Sequence, residues 1–217
     1  MSECIVYTCV TDGYDSLKPT KGLNGICLAD GDTEEVDGWT LEKYDSVCKS
    51  GERNSRFPKC CPQSFFESEY SIWCDGSVAW RVNPRKLIDF MGNAHMACFS
   101  HPAGKRQVVD EVKGVAGGVS DMSRTSCQYI EYKKRGFPDV PDLFWENTVI
   151  IRRHTPETER FGALWWAEQC RWSSWDQVSF NYVLWKTGMR VAQIPGSVRD
   201  GRLCSKHKHK EGRKVLP

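Results

Sequence analysis

Short apolar runs alternate along the chain with longer segments in which apolar residues recur at helical spacing. The runs predict strands at Cys4–Val10, Gly25–Ala29, Tyr70–Cys74, 95–99, 148–152 and 190–194. The helical pattern covers Pro84–Met91, which opens with proline, and residues 103–117, 122–135, 156–172 and 175–186. This alternation predicts an α/β domain with a mainly parallel sheet and helices on both faces.

The domain organisation follows from the same pattern. Residues 1–195 are predicted to form one domain, and residues 196–217 a basic, histidine-containing C-terminal tail. Residues 50–62 are polar and basic, and we expect them to be irregular. In open α/β sheets, ligands bind outside the carboxyl ends of the strands. Here those ends carry Thr11, Asp12, Asp30, Asp75 and His101.

Composition narrows the class of protein. Hydrophobic residues make up 40% and charged residues 27% of the chain, as in ordinary globular proteins. The eleven cysteines are an odd number, no Cys-x-x-Cys pair is present, and most lie in apolar runs, which indicates reduced thiols that pack as small hydrophobes. We find no secretory signal and no apolar stretch of membrane-spanning length, and therefore expect a cytoplasmic protein without a transmembrane segment.

Asp75 is the first candidate for chemistry, because it follows an apolar strand and precedes Gly76. A carboxylate held at the end of a rigid strand can face a cleft, and the glycine allows a ligand to approach the backbone. Mg²⁺ and Mn²⁺ favour such oxygen ligands together with substrate phosphates. An aspartate-glycine pair is also a common tight turn, and the fragment alone favours that alternative.

A basic segment shortly before this strand favours a binding site over a simple tight turn. Arg53, Arg56 and Lys59 offer guanidinium forks and an ammonium group, which suit phosphate oxygens. Together with Asp75 they resemble a site for a diphosphate and a metal ion. An ordinary basic loop is the alternative.

Three further groups of residues are candidates. His101 ends a predicted strand, although a lone histidine is more often a satisfied structural residue. Asp176 and Gln177 begin a predicted helix, where they suit sugar hydroxyls or a general base, or merely cap the helix. The faces of Trp165 and Trp166 suit sugar rings, or fill the core. In the tail, His207 and His209 stand between lysines such as Lys206. Together these side chains suit a metal site and the neutralisation of a leaving diphosphate, or they belong to a disordered basic tail or a remnant of expression engineering.

Seven short blocks occur in the order found in one protein family. They are residues 7–15, 70–77, 101–102, 136–138, 150–154, 165–166 and 176–182. On these blocks the chain resembles the plant turgor-regulation and mucilage glycosyltransferase-like proteins, which have bacterial and viral relatives. The resemblance covers roughly residues 4–187.

The resemblance implies a GT-A-type (Rossmann-like) fold, a nucleoside-diphosphate sugar donor and Mn²⁺ or Mg²⁺. By that similarity the nucleoside is held by the first strand and the loop after it, which contain Thr8, Thr11, Asp12, Gly13 and Tyr14. Asp75 becomes the carboxylate on the metal side, with His207 and His209 as further candidate ligands. The chain departs from the usual Asp-x-Asp pattern, because Ser77 stands where the second carboxylate is expected.

The resulting hypothesis is metal-assisted transfer of a sugar to a hydroxyl of a glycan or another acceptor. Asp176 is the first candidate for the base and Glu146 the second. The hypothesis requires that Asp75 faces a cavity. A carbohydrate-binding module and a metal-dependent nuclease or phosphoesterase are the alternatives; the acids form no compact two-metal cluster in the sequence, so we expect no nucleic-acid partner.

Overall fold

A computed structural model describes residues 3–13, 15–31, 33–101, 105–115, 122–141 and 144–207. The strands within these residues are β1 (Cys4–Val10), β2 (Gly25–Ala29), β3 (Trp39–Lys43), β4 (Tyr70–Cys74), β5 (Val78–Trp80), β6 (Met96–Ser100), β7 (Trp145–Arg153), β8 (Val191–Ile194) and β9 (Cys204–Lys206). The α-helices are α1 (Gly51–Cys60), α2 (Val108–Val115), α3 (Met122–Lys134), α4 (Pro156–Arg171) and α5 (Asp176–Thr187), and 3-10 helices span Pro62–Ser64 and Pro84–Met91. Among the described helices, none combines the length and the apolar character needed to cross a bilayer.

Seven of these strands form one sheet in the order β3-β2-β1-β4-β7-β6-β8. Neighbouring strands are parallel, except that β7 runs antiparallel to both β4 and β6. The apolar runs of β1 and β4 are buried along nearly their whole length, because layers cover both faces of the sheet. The predicted α/β class with a mainly parallel sheet is confirmed.

The reversed direction of β7 decides which residues meet at one edge of the sheet. Cys74, the last residue of β4, pairs with Val149 of β7. The backbone N–H of Asp75 then donates to the carbonyl of Thr148 at 3.0 Å. The beginning of β7, with Glu146, therefore lies beside the carboxyl end of β4, where the ligands of parallel sheets bind.

Successive residues along the central strands face different layers. Tyr7, Trp73 and Ile150 belong to the core beneath the α-helices, α1 to α5. Their neighbours Val6, Ile72 and Ile151 belong to the core on the opposite face. That second face is covered by the 3-10 helix Pro84–Met91 and by a separate two-stranded sheet of β5 and β9. Helical cover on both faces is thus present, and in the described part of the chain the helix on the second face is a 3-10 helix.

The expectation of an irregular segment at 50–62 is wrong, because residues 51–60 form α1. Ser50 caps this helix by accepting the backbone N–H of Arg53 at 3.4 Å. The buried face of α1 includes Asn54, Ser55 and Lys59, so it lacks the apolar periodicity that identifies a helix. The strands β3, β5 and β9 also escaped prediction, since they are short or polar.

Part of the predicted tail belongs to the folded domain. β9 pairs antiparallel with β5, which places Lys206 opposite Val78. Val198 and Cys204 are fully buried in the core of the second face. Residues 208–217, including His209, lie outside the described residues.

The eleven cysteines are all free thiols, as the sequence predicted. Seven are buried: Cys4, Cys9, Cys27, Cys60, Cys74, Cys98 and Cys204. They contribute to the two cores as small apolar side chains.

The contact between α1 and α4 depends on Gly162. A Cβ atom at this position would lie 2.2 Å from the carbonyl oxygen of Cys60. Gly162→Ala is therefore expected to destabilise the fold by about 1–3 kcal/mol, although alanine normally favours a helix over glycine. Denaturant unfolding measures the change. The same substitution at Gly114 in α2 meets only the flexible end of Lys105, so Gly114→Ala should leave stability unchanged or slightly raised; equal effects at the two positions would contradict the prediction.

Candidate active site

A cavity of about 330 Å³ opens at the edge of the sheet where β1, β4 and β6 end and β7 begins. Its walls also include α1, the first residues of α5 and two side chains from the C-terminal segment, Arg199 and Lys206. Asp75 lines this cavity. The requirement that this carboxylate faces a cavity is met.

A buried ion cluster forms one wall. The Lys59 ammonium lies 2.6 Å from Oδ2 of Asp176 and 3.3 Å from Oδ1 of Asp75, and its side chain is only 1% exposed. Arg56 adds a second cation, with Nε 3.5 Å from the same Asp176 oxygen. Removing one member of such a buried cluster leaves its partners as uncompensated charges, so the cluster ties together α1, α5 and the end of β4.

Asp75 remains ionised because of its cationic neighbours. Burial alone would raise the pKa of this carboxyl, but Lys59, Lys206 and Arg56 outweigh it and hold the pKa at about 2. The indole N–H of Trp73 also donates to Oδ1 at 3.0 Å. Asp75 is therefore a fixed anion at the floor of the cavity across the physiological pH range.

Glu146 is a second carboxylate at the cavity, and its surroundings differ from those of Asp75. Burial raises the pKa of Glu146, against the effects of Lys206, Arg199 and the Thr148 hydroxyl. That hydroxyl donates to Oε1 at 3.0 Å, whereas Oε2 has no hydrogen-bond partner within the described part of the chain. A buried carboxylate oxygen with open acceptor capacity suits a group that takes up a proton.

The C-terminal segment brings two cations to the opposite side. Lys206 Nζ lies 3.9 Å from Oδ2 of Asp75 and 4.0 Å from Oε1 of Glu146, and it donates to the Thr148 hydroxyl at 2.9 Å. Arg199 Nη2 lies 3.7 Å from Oε1 of Glu146. These distances to the carboxylates exceed those of hydrogen bonds. The two cations therefore lie near the anions without forming hydrogen bonds to them.

The far wall combines a histidine with an acid and an aromatic ring. His101 Nε2 lies 3.7 Å from Oε2 of Glu111, and Lys105 Nζ lies 2.5 Å from the same oxygen. The indole N–H of Trp175 donates to Oε1 of Glu111 at 2.7 Å, which fixes the orientation of the Trp175 ring. All four residues line the cavity.

The loop after β1 is fixed to the start of α1. Thr11 Oγ1 donates to the carbonyl of Gly51 at 2.6 Å. Asp12 adopts a positive φ of 51°, and its N–H donates to Asp30 at 2.7 Å. A Cβ atom on Gly51 would lie 2.2 Å from the Asp12 carboxylate, so glycine permits this close approach.

A sequence profile of the TOD1/MUCI70 glycosyltransferase-like domain matches residues 32–196. The chain belongs to the TOD1/MUCI70 family. This confirms the resemblance drawn from the seven sequence blocks and supports a transferase of glycosyl groups.

One relative of this TOD1/MUCI70 chain is described as a probable hexosyltransferase, MUCI70, of Arabidopsis thaliana. The two are 27% identical over 223 residues, which cover 84% of this chain. The chain spans only 38% of the length of that relative.

Two solved structures resemble the fold of the TOD1/MUCI70 chain. The bifunctional glycosyltransferase WbbM matches with a TM-score of 0.55 and 17% identity, over 89% of this chain and 39% of WbbM. Mouse xyloside xylosyltransferase 1 matches with a TM-score of 0.50 and 9% identity, over 88% of this chain and 84% of that protein. The predicted GT-A-like fold is thereby confirmed.

The cavity of the TOD1/MUCI70 chain brings together eight of the residues predicted for the site. They are Arg56, Lys59, Asp75, Gly76, His101, Glu146, Asp176 and Gln177. Gln177 acts on the backbone of β7: its amide donates to the Trp145 carbonyl, and its oxygen accepts the N–H of Asn147 at 3.3 Å. It therefore holds the strand that carries Glu146.

The remaining predicted residues lie elsewhere. Thr8 and Trp165 are fully buried, and Trp165 packs on Phe180 with its N–H on Ser179, so neither reaches a ligand. Trp166 packs on Phe57, and Arg53 donates to the carbonyl of Trp172. Thr11, Asp12 and Gly13 lie in the loop beside the cavity but do not line it, His207 is exposed, and Tyr14 and His209 lie outside the described residues.

Several cavity residues were not singled out from the sequence. Arg199 and Trp175 are the clearest examples. Arg199 belongs to the segment predicted as a tail, in which a role was assigned to the histidines and to the lysines between them, Lys206 included, but not to Arg199. Trp175 directly precedes Asp176, so its position at the start of a helix was the available signal.

The described residues do not fit a site for Mn²⁺ or Mg²⁺. No three side chains among the described His, Cys, Asp and Glu residues converge as metal ligands. Ser77, at the position of the second carboxylate of Asp-x-Asp, is fully buried and does not line the cavity. Asp75 is instead engaged by the cations of Lys59 and Lys206.

Proposed function

We propose that this chain transfers a hexose from a nucleoside-diphosphate sugar to a hydroxyl group of a glycan or another acceptor. The observation that carries the proposal is the placing of Lys206 and Arg199 at a cavity that is also lined by the carboxylate of Asp75. Neither cation is held in a hydrogen bond to a carboxylate. Such a pair of cations suits a diphosphate best. Membership of a glycosyltransferase-like family supports the same chemistry.

Different residues along the cavity would bind the different parts of the donor. The loop at Asp12 and Gly13 lies beside the cavity and would contact the nucleoside. Arg199 and Lys206 would bind the diphosphate. The sugar would then lie in the cavity beside Asp75 and Glu146, with Asp75 accepting hydrogen bonds from its hydroxyl groups.

The acceptor would enter from the wall of His101, Glu111 and Trp175. Trp175 offers the aromatic surface against which a sugar ring packs, and its bond to Glu111 keeps that surface in place. This assignment replaces Trp165 and Trp166, which lie in the core and on α1.

In the transfer step, the bond between the anomeric carbon and the diphosphate oxygen breaks, and its electron pair stays on the diphosphate. A new bond forms between the acceptor oxygen and the anomeric carbon. The proton of the acceptor hydroxyl passes to the carboxylate of Glu146. We place Glu146 ahead of Asp176 as the base because the Lys59 ammonium lies 2.6 Å from Asp176 and engages it in the buried cluster.

Calorimetry with UDP- and GDP-sugars tests the proposal. We expect one nucleotide series to bind with a dissociation constant in the micromolar to millimolar range, and the corresponding sugar nucleotide to release nucleoside diphosphate when glycan acceptors are added. Binding of glycans without any nucleotide would favour a carbohydrate-binding module. Absence of binding by every nucleotide and nucleotide sugar would overturn the proposal.

A further inference from the structure

The turn after β4 supplies one carboxylate to the cavity. Asp75 is followed by Gly76 and then by Ser77, whose hydroxyl is buried and has no hydrogen-bond partner within the described residues. The backbone N–H of Ser77 donates to the Asp15 carboxylate at 3.2 Å. The side chain at position 77 is therefore buried inside the protein, and even a carboxylate at this position would not line the cavity.

The Lys206 ammonium lies close to the place beside Asp75 that a bound metal ion would take. Lys206 Nζ is 3.9 Å from the Asp75 oxygen that Lys59 does not engage. A divalent ion bound to that oxygen would lie within a few ångströms of the ammonium, and like charges at such distances repel strongly in a partly buried site. The ion and the Lys206 ammonium compete for the same place.

The backbone holds Lys206 in this position from three sides. Its own N–H donates to the Val198 carbonyl at 3.1 Å, and the next N–H, of His207, donates to the Ser77 carbonyl at 2.9 Å. β9 pairs with β5 directly after the turn that carries Asp75. The side chain is 21% exposed, so its ammonium remains accessible to a ligand in the cavity.

Two of the cations around Asp75 have hydrogen-bond donors available for an anionic ligand. Lys59 and Arg56 are engaged by Asp176 and Asp75. Lys206 uses one donor on the Thr148 hydroxyl, and Arg199 has a side chain that is 47% exposed. The ammonium of Lys206 and the guanidinium of Arg199 therefore retain donors for phosphate oxygens.

We propose that Lys206, assisted by Arg199, supplies the positive charge that binds and stabilises the diphosphate, so that this transferase works without a divalent cation. The inference rests on the proposed function and concerns the same cavity. As the bond from the anomeric carbon to the diphosphate breaks, the electron pair remains on the phosphate oxygen. The Lys206 ammonium meets that charge, and no bond to the protein forms.

The test is calorimetry of the full chain with UDP and with GDP, in EDTA and in Mn²⁺ or Mg²⁺. We expect the nucleotide that binds to do so with the same affinity, within about threefold, in EDTA and with either ion. Lys206→Met should weaken that binding at least about tenfold, which is the effect of losing one charged hydrogen bond. Lys206→Arg should retain most of it.

Two controls separate loss of charge from loss of fold. Lys43→Met removes an 83% exposed lysine that pairs only with Asp45 among the described residues, and it should bind as the unaltered chain does. Thermal unfolding of each variant reports whether β9 remains docked. If Lys206→Met unfolds early, Arg199→Met tests the same charge from a loop residue and should also weaken binding.

The outcomes distinguish the two proposals. Binding that is equal in EDTA and weakened by Lys206→Met supports the inference. Binding that requires Mn²⁺ or Mg²⁺ overturns the inference and leaves the proposed function standing. Binding that is insensitive to loss of both Lys206 and Arg199 overturns the inference and also the assignment of these two cations to the diphosphate. Absence of nucleotide binding under every condition overturns both.

Discussion

Glu146→Gln is expected to lower kcat/KM for sugar transfer by about 10²–10⁴-fold, since the amide cannot accept the proton of the acceptor hydroxyl. Affinity for the nucleotide should be unchanged. Because burial raises the pKa of Glu146, the rate of the unaltered chain should fall as the pH drops through that raised value, when the carboxylate becomes protonated. Steady-state kinetics over a pH series measures both effects.

Stability provides the matching control for Glu146. A carboxyl whose pKa is raised in the folded state stabilises the fold below its unfolded pKa and loses that contribution as the pH rises through the folded pKa. Above the raised pKa the ionised Glu146 destabilises the fold, and at such pH Glu146→Gln should unfold at the same or a higher temperature. A variant that keeps its kcat/KM would return the role of base to Asp176.

Lys59→Met is expected to destabilise the fold by about 3–5 kcal/mol, because it leaves Asp75 and Asp176 facing each other without their shared cation. Denaturant unfolding measures this loss. The exposed Lys43→Met is the matched control, for which a change below about 0.5 kcal/mol is expected.

A double variant separates the buried charge from the packing of the lysine stem. Adding Asp176→Asn to Lys59→Met removes one of the two stranded anions, so the double variant should recover part of the lost stability. A loss no greater than that of the control, or no recovery in the double variant, would show that the ammonium does not hold the cluster together.

The central strands could be predicted from the sequence because their burial is nearly complete. β1, β2 and β4 have the bounds predicted for them, since a strand covered on both faces must be apolar throughout. α1 was missed because its inner face carries Asn54, Ser55 and Lys59, whose partners lie in other elements. β5 and β9 are three-residue strands that form only with each other.

The sequence predicted several of the residues that line the site, but not which of them form ion pairs with one another. Arg53, Arg56 and Lys59 were expected to converge on Asp75. Arg53 donates to the carbonyl of Trp172, whereas Arg56, Lys59 and Asp75 line the cavity. Their partner Asp176 was expected to act as a base, and instead forms an ion pair with Lys59 across a separation of 117 residues. Such a contact depends on the packing of α1 against the start of α5, which no local pattern records.

The antiparallel strand at the centre of the sheet also constrains how the protein is made. β7 must insert between β4 and β6, which precede it in the chain, and Lys206 can join only after β9 has been synthesised. Pairings between distant segments are slow to form, because the chain pays the entropy of closing each loop before the contact is made. A nascent chain made only as far as β7 would therefore carry Asp75 without Lys206, and the charges around the cavity would be complete only after β9 had been made.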